Sequence, residues 1–149
     1  NQEEEDYESQ FKTCVIHNVL MAKAFIPDMI NNKWGRVVAT NTECTMQCNP
    51  NQSAYISGKA GQDRVLRVLA SEVGEHGITV NQVAPGWMIS DRFRKDPIDD
   101  SSYAKNVPLG HRGEDRDIAN AVAFLASDLA SFITGVYLPV AGGNVMPRI

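Results

Sequence analysis

Apolar residues return at helical spacing in three segments of this chain and gather into short runs in three others. From Tyr7 to Asn31, Phe11, Val15, Val19, Ala22, Phe25, Ile26 and Met29 recur every three or four residues, which predicts an amphipathic helix. The acidic cluster Glu3 to Asp6 precedes it, where a helix N-terminus favours negative charge. Pro27 predicts a kink or a separate last turn, and Gly35 is the expected turn residue at the end. Residues 36–40 form a short β-branched run that suits a buried strand. Residues 41–52 are polar, with Pro50 among asparagines, and read as a loop. A second long helix is expected over 53–74, with Val65, Leu66, Leu69 and Val73 inward, followed by a strand over 78–83 that Pro85-Gly86 stops. Residues 87–108, with Pro97, mix acidic and polar clusters and predict a loop with short helical turns. A third helix over 115–127 points Ile118, Val122, Phe124 and Leu125 inward, and a last strand covers 137–140. Helix and strand in alternation predict an α/β fold, a parallel sheet between helical layers.

At 149 residues the chain amounts to one domain, long enough to bury about two-thirds of its unfolded surface. A net charge of −4 with no basic run argues against nucleic acid as a partner. No apolar stretch is expected to reach the ~20 residues that span a bilayer, and no signal peptide is visible. Three cysteines, Cys14, Cys44 and Cys48, fit a reduced, cytoplasmic setting, and their spacing with His17 gives no metal motif.

The chemistry centres on Tyr55-Ile56-Ser57-Gly58-Lys59. On a helix, Tyr55 and Lys59 share one face, with Cβ atoms roughly 5–6 Å apart. A free phenol titrates near ~10, so proton exchange near neutrality needs a shift of about 3 units, or roughly 4 kcal/mol. One ammonium ~6 Å away at an effective dielectric of about 20 supplies on the order of 2.8 kcal/mol. A further charge or a hydroxyl bonded to the phenolate must supply the rest.

Six pieces of the chain occur in the order and spacing of the short-chain dehydrogenase/reductases, which the sequence resembles. They are Gly35-Arg36-Val37-Val38; Tyr55 to Ala60; Gly77 to Asn81; Val83-Ala84-Pro85-Gly86-Trp87; Pro108-Leu109-Gly110; and Phe124 to Asp128 followed by Ile133-Thr134-Gly135. The nearest likeness is to 3-oxoacyl-carrier-protein reductases and related sugar or alcohol dehydrogenases. The resemblance implies a Rossmann-like, three-layer parallel sheet, of which this chain carries the C-terminal part, about three strands with flanking helices, as one truncated domain over 1–149. It implies hydride transfer between NAD(P)H and a small-molecule carbonyl or alcohol. Catalysis would fall to Tyr55, Lys59 and Thr42, the last standing where the family has a serine. Cofactor contacts would come from Tyr55, Lys59, Pro85, Gly86, Met88 and Ser90. A homodimer or homotetramer would form through helices 7–31 and 53–74.

Three departures stand against the family pattern. Thr42 adds a methyl to the expected serine. The expected active-site asparagine falls on Cys14, a weak donor and acceptor, with Asn18 one turn further on. No G-x-G-x-x-G occurs, and the chain starts at Asn1, so the dinucleotide-binding half is expected to lie outside it and this chain alone to bind no cofactor tightly. The strand at 36–40 would then present a bare edge. Two functions follow: part of a carbonyl-reducing oxidoreductase, or a non-catalytic remnant that keeps the family's oligomerisation or partner-binding surface.

Overall fold

The structure, a computed structural model, describes residues 2–95 and 101–146. It begins with one helical run made of α1 (Glu4–Phe11), a π-helical turn (Lys12–Ile16) and α2 (His17–Asn32). Glu4, Glu5 and Asp6 occupy the first turn, and Asp6 Oδ2 accepts the Glu3 amide at 3.0 Å. The helix does not restart at Pro27 as a separate turn; α2 runs through it. The irregularity comes earlier, in the π turn, where an extra residue is accommodated. Lys33, not Gly35, takes the left-handed turn (φ 50°), and its amide bonds the Ile30 carbonyl at 3.1 Å. Gly35 opens β1 (Gly35–Thr40) instead, where a Cβ would lie 2.6 Å from Met29 Sδ.

The next elements are α3 (Cys44–Gln47), α4 (Ser53–Val73), a 3-10 turn (Gly74–His76) and β2 (Ile78–Pro85). After them come α5 (Asp91–Lys95), α6 (Ser101–Asn106), α7 (Asp115–Ala126) and β3 (Tyr137–Val140). The loop expected over 41–52 thus contains the short helix α3. Helical turns appear as expected within 87–108, while Pro97 lies outside the described residues.

β1, β2 and β3 form one parallel sheet in that order, with Val37 opposite Val80 and Ala84 opposite Pro139. Parallel neighbours require crossovers; α4 makes the first and α7 the second. Side chains alternate across β2: Ile78 and Val80 pack with Ile26, Leu66, Ala70 and Val73 on one face, and Val83 packs with Leu125 and Ala130 on the other. Helices on both faces explain why all of β2 up to Ala84 is buried, polar Thr79, Asn81 and Gln82 included. Asn81 is structural: its Nδ2 donates to the Ile133 carbonyl at 2.7 Å and its Oδ1 accepts the Val136 amide at 3.1 Å. Phe124, expected inward, is exposed, because its neighbour Leu125 takes the buried position on α7.

The run Glu4–Asn32 is long and apolar enough to cross a membrane by length and composition, which corrects the expectation that no stretch reaches that length. Cys14, Val15 and Ile26 on it are buried, whereas Phe11, Leu20, Met21 and Phe25 are exposed. Among the described residues β1 pairs only with β2, so its other edge is open.

Candidate active site

The first turns of α4 face the C-terminal end of β1, and the approach is set by small residues. A Cβ on Gly58 would lie 2.9 Å from the Gln10 carbonyl oxygen, and one on Gly61 would lie 2.8 Å from Val15 Cγ2. Glycine at both positions lets α4 lie close against α1 and the π turn. The N-terminus of α4 is capped from a distance: Gln2 Oε1 accepts the Ala54 amide at 2.9 Å and the Ser53 hydroxyl at 2.6 Å.

Tyr55 and Thr42 come together there. The Thr42 side chain stands close enough to the half-buried phenol to pull its pKa down, but burial pushes harder and leaves it above the ordinary tyrosine value. Thr42 is itself buried, and its Oγ1 accepts the Cys44 amide at 3.3 Å, which leaves the hydroxyl proton to donate elsewhere.

A chain of buried polar groups sets the Thr42 backbone. Asp63 Oδ1 accepts from Arg67 Nε at 2.7 Å and from Gln82 Nε2 at 2.9 Å. Gln82 Oε1 accepts from Asn41 Nδ2 at 2.8 Å, and Asn41 Oδ1 accepts the Thr42 amide at 2.9 Å. Asn41 Nδ2 also reaches the Lys59 carbonyl at 3.1 Å, tying the end of β1 to α4. From the far side the Tyr137 hydroxyl donates to the Thr42 carbonyl and meets Thr45 Oγ1 at 2.6 Å. Every member of this network is satisfied, the condition under which buried polar groups rigidify a site.

Lys59 lies half-buried one turn beyond Tyr55, and its ammonium bonds the Thr40 carbonyl at 2.9 Å and Gln62 Oε1 at 3.3 Å. Burial lowers its pKa. In this arrangement Thr42, rather than Lys59, lowers the phenol, which departs from the expectation that the ammonium supplies most of the shift. An ammonium has three donors, so one remains beyond Thr40 and Gln62. Cys14 sits buried in the π turn with Sγ 3.7 Å from Gln10 Oε1. Its carbonyl accepts Asn18 Nδ2 at 2.6 Å, which ties that amide to its own helix.

Pro85 and Gly86 border the same region: the Pro85 carbonyl accepts the Glu43 amide at 3.0 Å, and the Gly86 amide bonds the Val140 carbonyl at 3.1 Å. A Cβ on Gly86 would lie 2.8 Å from the Tyr103 hydroxyl oxygen and 3.1 Å from Ala141 Cα, so any larger residue would displace Tyr103. Thr42, Pro85 and Gly86 stand in the wall of a cavity of about 540 Å³. Met88 lines an adjoining cavity with Gly113 and Asp117, which shares Gly86 and Tyr103 with the first, and its carbonyl accepts Arg112 Nη2. Ser90 precedes α5, where its carbonyl accepts the Arg94 amide at 3.0 Å.

Sequence reasoning missed Glu43, Tyr103 and Asn144. Glu43 is 4% exposed, and its carboxylate accepts the Tyr103 hydroxyl at 3.0 Å and Asn144 Nδ2 at 2.9 Å. A glutamate in a polar loop reads as solvated; its position directly after Thr42 was the one available signal.

Residues 1–144 match the family model described as enoyl-(acyl carrier protein) reductase. Similar curated proteins include 3-oxoacyl-acyl-carrier-protein reductase FabG of Rickettsia felis, 38% identical over 144 residues, which is 96% of this chain and 60% of that protein. FabG of Haemophilus influenzae is 42% identical over 134 residues, 88% of this chain and 53% of that protein. Among solved structures, one titled "Dehalogenation enzyme" superposes with a TM-score of 0.90 at 26% identity, covering 96% of this chain and 61% of that one. The TT0495 protein from Thermus thermophilus gives a TM-score of 0.86 at 26% identity, covering 96% and 62%. The chain thus spans at most 60% of the length of these curated relatives. Taken with the parallel α/β sheet, these matches show that the chain belongs to the short-chain dehydrogenase/reductase family and is similar to the 3-oxoacyl-acyl-carrier-protein reductases.

Proposed function

We propose that this chain forms the catalytic and substrate-facing part of an NAD(P)-dependent oxidoreductase that interconverts a carbonyl compound and its alcohol. The observation that carries this reading is the Tyr55 phenol paired with the Thr42 hydroxyl, with Thr42 in the wall of a cavity large enough for a small molecule. The residues fit a nicotinamide cofactor at one end. Lys59 keeps a free donor suited to ribose hydroxyls, and Pro85-Gly86 brings backbone to the cavity without a side chain in the way. When bound, the cofactor supplies the hydride. The protein's part is the proton: Thr42 hydrogen-bonds the carbonyl oxygen and Tyr55 gives its phenolic proton to that oxygen as the alkoxide forms. Because burial holds Tyr55 above the ordinary tyrosine value, it is in the protonated, donating form at neutral pH. Oxidation of the alcohol reverses the transfer and calls for the phenolate.

The intact protein should consume NADPH or NADH with a carbonyl substrate, and Tyr55→Phe should abolish that turnover. Unchanged turnover in Tyr55→Phe contradicts the assignment.

A second reading, a non-catalytic remnant that acts through association, draws on a different observation. A trough between α2 and α4 is lined by Val19, Ala22, Val65, Val68 and Leu69, with Val68 exposed, and suits a second copy of the chain. Cofactor titration of the 149-residue chain separates the two. Sub-millimolar binding contradicts the remnant.

A further inference from the structure

Glu43 carries a carboxylate that the site buries without a counter-ion. The residue is 4% exposed, and among the described residues it makes no ion pair. Taking a charge out of water is costly unless well-placed hydrogen bonds offset the loss. Two donors meet it here: the Tyr103 hydroxyl at 3.0 Å on one oxygen and Asn144 Nδ2 at 2.9 Å on the other. The same Tyr103 oxygen accepts the Trp87 amide at 2.8 Å, so the hydroxyl's single proton is committed to Glu43. The Trp87 ring meets the Tyr103 ring edge-on, with centroids 5.2 Å apart. The Glu43 amide donates to the Pro85 carbonyl at 3.0 Å, and Glu43 directly follows Thr42.

Glu43 therefore joins two segments that the proposed reaction must hold in register. On one side is Thr42, assigned to the carbonyl oxygen. On the other is the Pro85-Gly86-Trp87 turn, whose backbone is assigned to the nicotinamide end of the cavity. We propose that Glu43 is a positioning residue that acts through Tyr103, fixing the Gly86-Trp87 backbone relative to Thr42 without touching substrate or cofactor. Apolar packing would hold the two segments together but would not orient a peptide amide; a relay in which each donor has one acceptor does both. Misplacing reacting groups by ~1 Å slows a reaction by about 10²-fold, so the relay bears on rate more than on affinity. Its role in turnover rests on the carbonyl chemistry proposed for Tyr55 and Thr42, but the coupling of Glu43 to Trp87 can be read without turnover.

The test uses the intact protein with Glu43→Leu, Tyr103→Phe, the double variant and Glu43→Gln. Glutamine keeps an oxygen for Tyr103 and offers an NH₂ to Asn144 once that amide turns over, so it preserves both bonds without the charge. Hydrogen exchange in the absence of cofactor is the first readout. Glu43→Leu and Tyr103→Phe should each speed exchange at the Trp87 amide about tenfold, while the amides of β2 stay within about twofold. Glu43→Gln should recover most of that protection. Single-turnover hydride transfer is the second readout: each of the two variants should slow it by about 10–100-fold with KM for the carbonyl substrate little changed. The double variant should be no slower than the slower single, because both substitutions cut one relay. Unmoved exchange at Trp87 in Glu43→Leu, no recovery in Glu43→Gln, or single effects that multiply in the double variant overturns the proposal. Should Glu43→Leu not fold, Tyr103→Phe cuts the same relay one step later, and unmoved exchange and transfer in that variant overturn it equally. If exchange responds as stated but the wild type turns over no carbonyl compound, the coupling stands and the catalytic reading fails.

Discussion

Tyr55 is a phenol with two opposed influences, and the balance sets the pH behaviour of the site. Burial raises its pKa and the Thr42 hydroxyl lowers it, with burial the larger. In the proposed mechanism carbonyl reduction uses the protonated phenol, so its rate should stay flat from neutrality into the alkaline range. Alcohol oxidation uses the phenolate, so its rate should rise about tenfold per pH unit up to the Tyr55 pKa. A rate profile for oxidation that is flat over the same range contradicts this. Thr42→Val should raise the phenol further, seen as a later onset of phenolate absorbance. Tyr103 and Tyr137 are also pushed above 10.0, in each case chiefly by burial. A group with a raised folded pKa contributes fully below its unfolded value and loses that contribution as pH climbs through the folded value. Lys59, lowered from 10.5, acts in the opposite sense between its folded and unfolded values. Three tyrosines against one lysine predict a thermal midpoint that falls as pH is raised past 10.0. At this scale Tyr55 and Lys59 were singled out by their spacing and Thr42 by the family resemblance, whereas Glu43 was not. Its burial depends on Tyr103 and Asn144, residues far along the chain whose arrival no local pattern announces.

The elements owe their positions to contacts that periodicity shows only in part. Apolar spacing located the two long helices and three strands, since burial on one face leaves that mark in the sequence. It did not show the π turn at Lys12–Ile16, because one inserted residue barely changes a three- and four-residue rhythm. Nor could it place the αL turn on Lys33 rather than Gly35, since the close approach of Met29 to Gly35 is a tertiary contact. The glycines of α4 are a second tertiary signal. Gly58→Ala puts a methyl 2.9 Å from the Gln10 carbonyl oxygen and should cost about 1–3 kcal/mol in denaturant unfolding. A neutral effect there contradicts the close contact between α4 and α1. Gln2→Ala removes the cap on α4 and should cost about 1 kcal/mol, with faster hydrogen exchange confined to the first turn around Tyr55.

The whole molecule has an open side. The free edge of β1 adjoins a groove lined by Met21, Phe25, Met29, Val37 and Val38, and exposed backbone hydrogen-bonding groups beside apolar side chains invite association. The isolated chain should sediment as a concentration-dependent oligomer, and Phe25→Glu should shift it toward monomer. A monomer at all concentrations contradicts that expectation. The parallel sheet was readable from the alternation of elements, yet the cavity was not, because it is assembled from the segment between β1 and α4, the end of β2, α6 and Asn144. The proton transfer proposed for Tyr55 is the central claim, and single-turnover hydride transfer in the intact protein tests it most directly. With cofactor and ketone bound, Tyr55→Phe should retain affinity for both and slow the transfer by about 10²–10⁴-fold. Transfer at the wild-type rate in that variant contradicts the account.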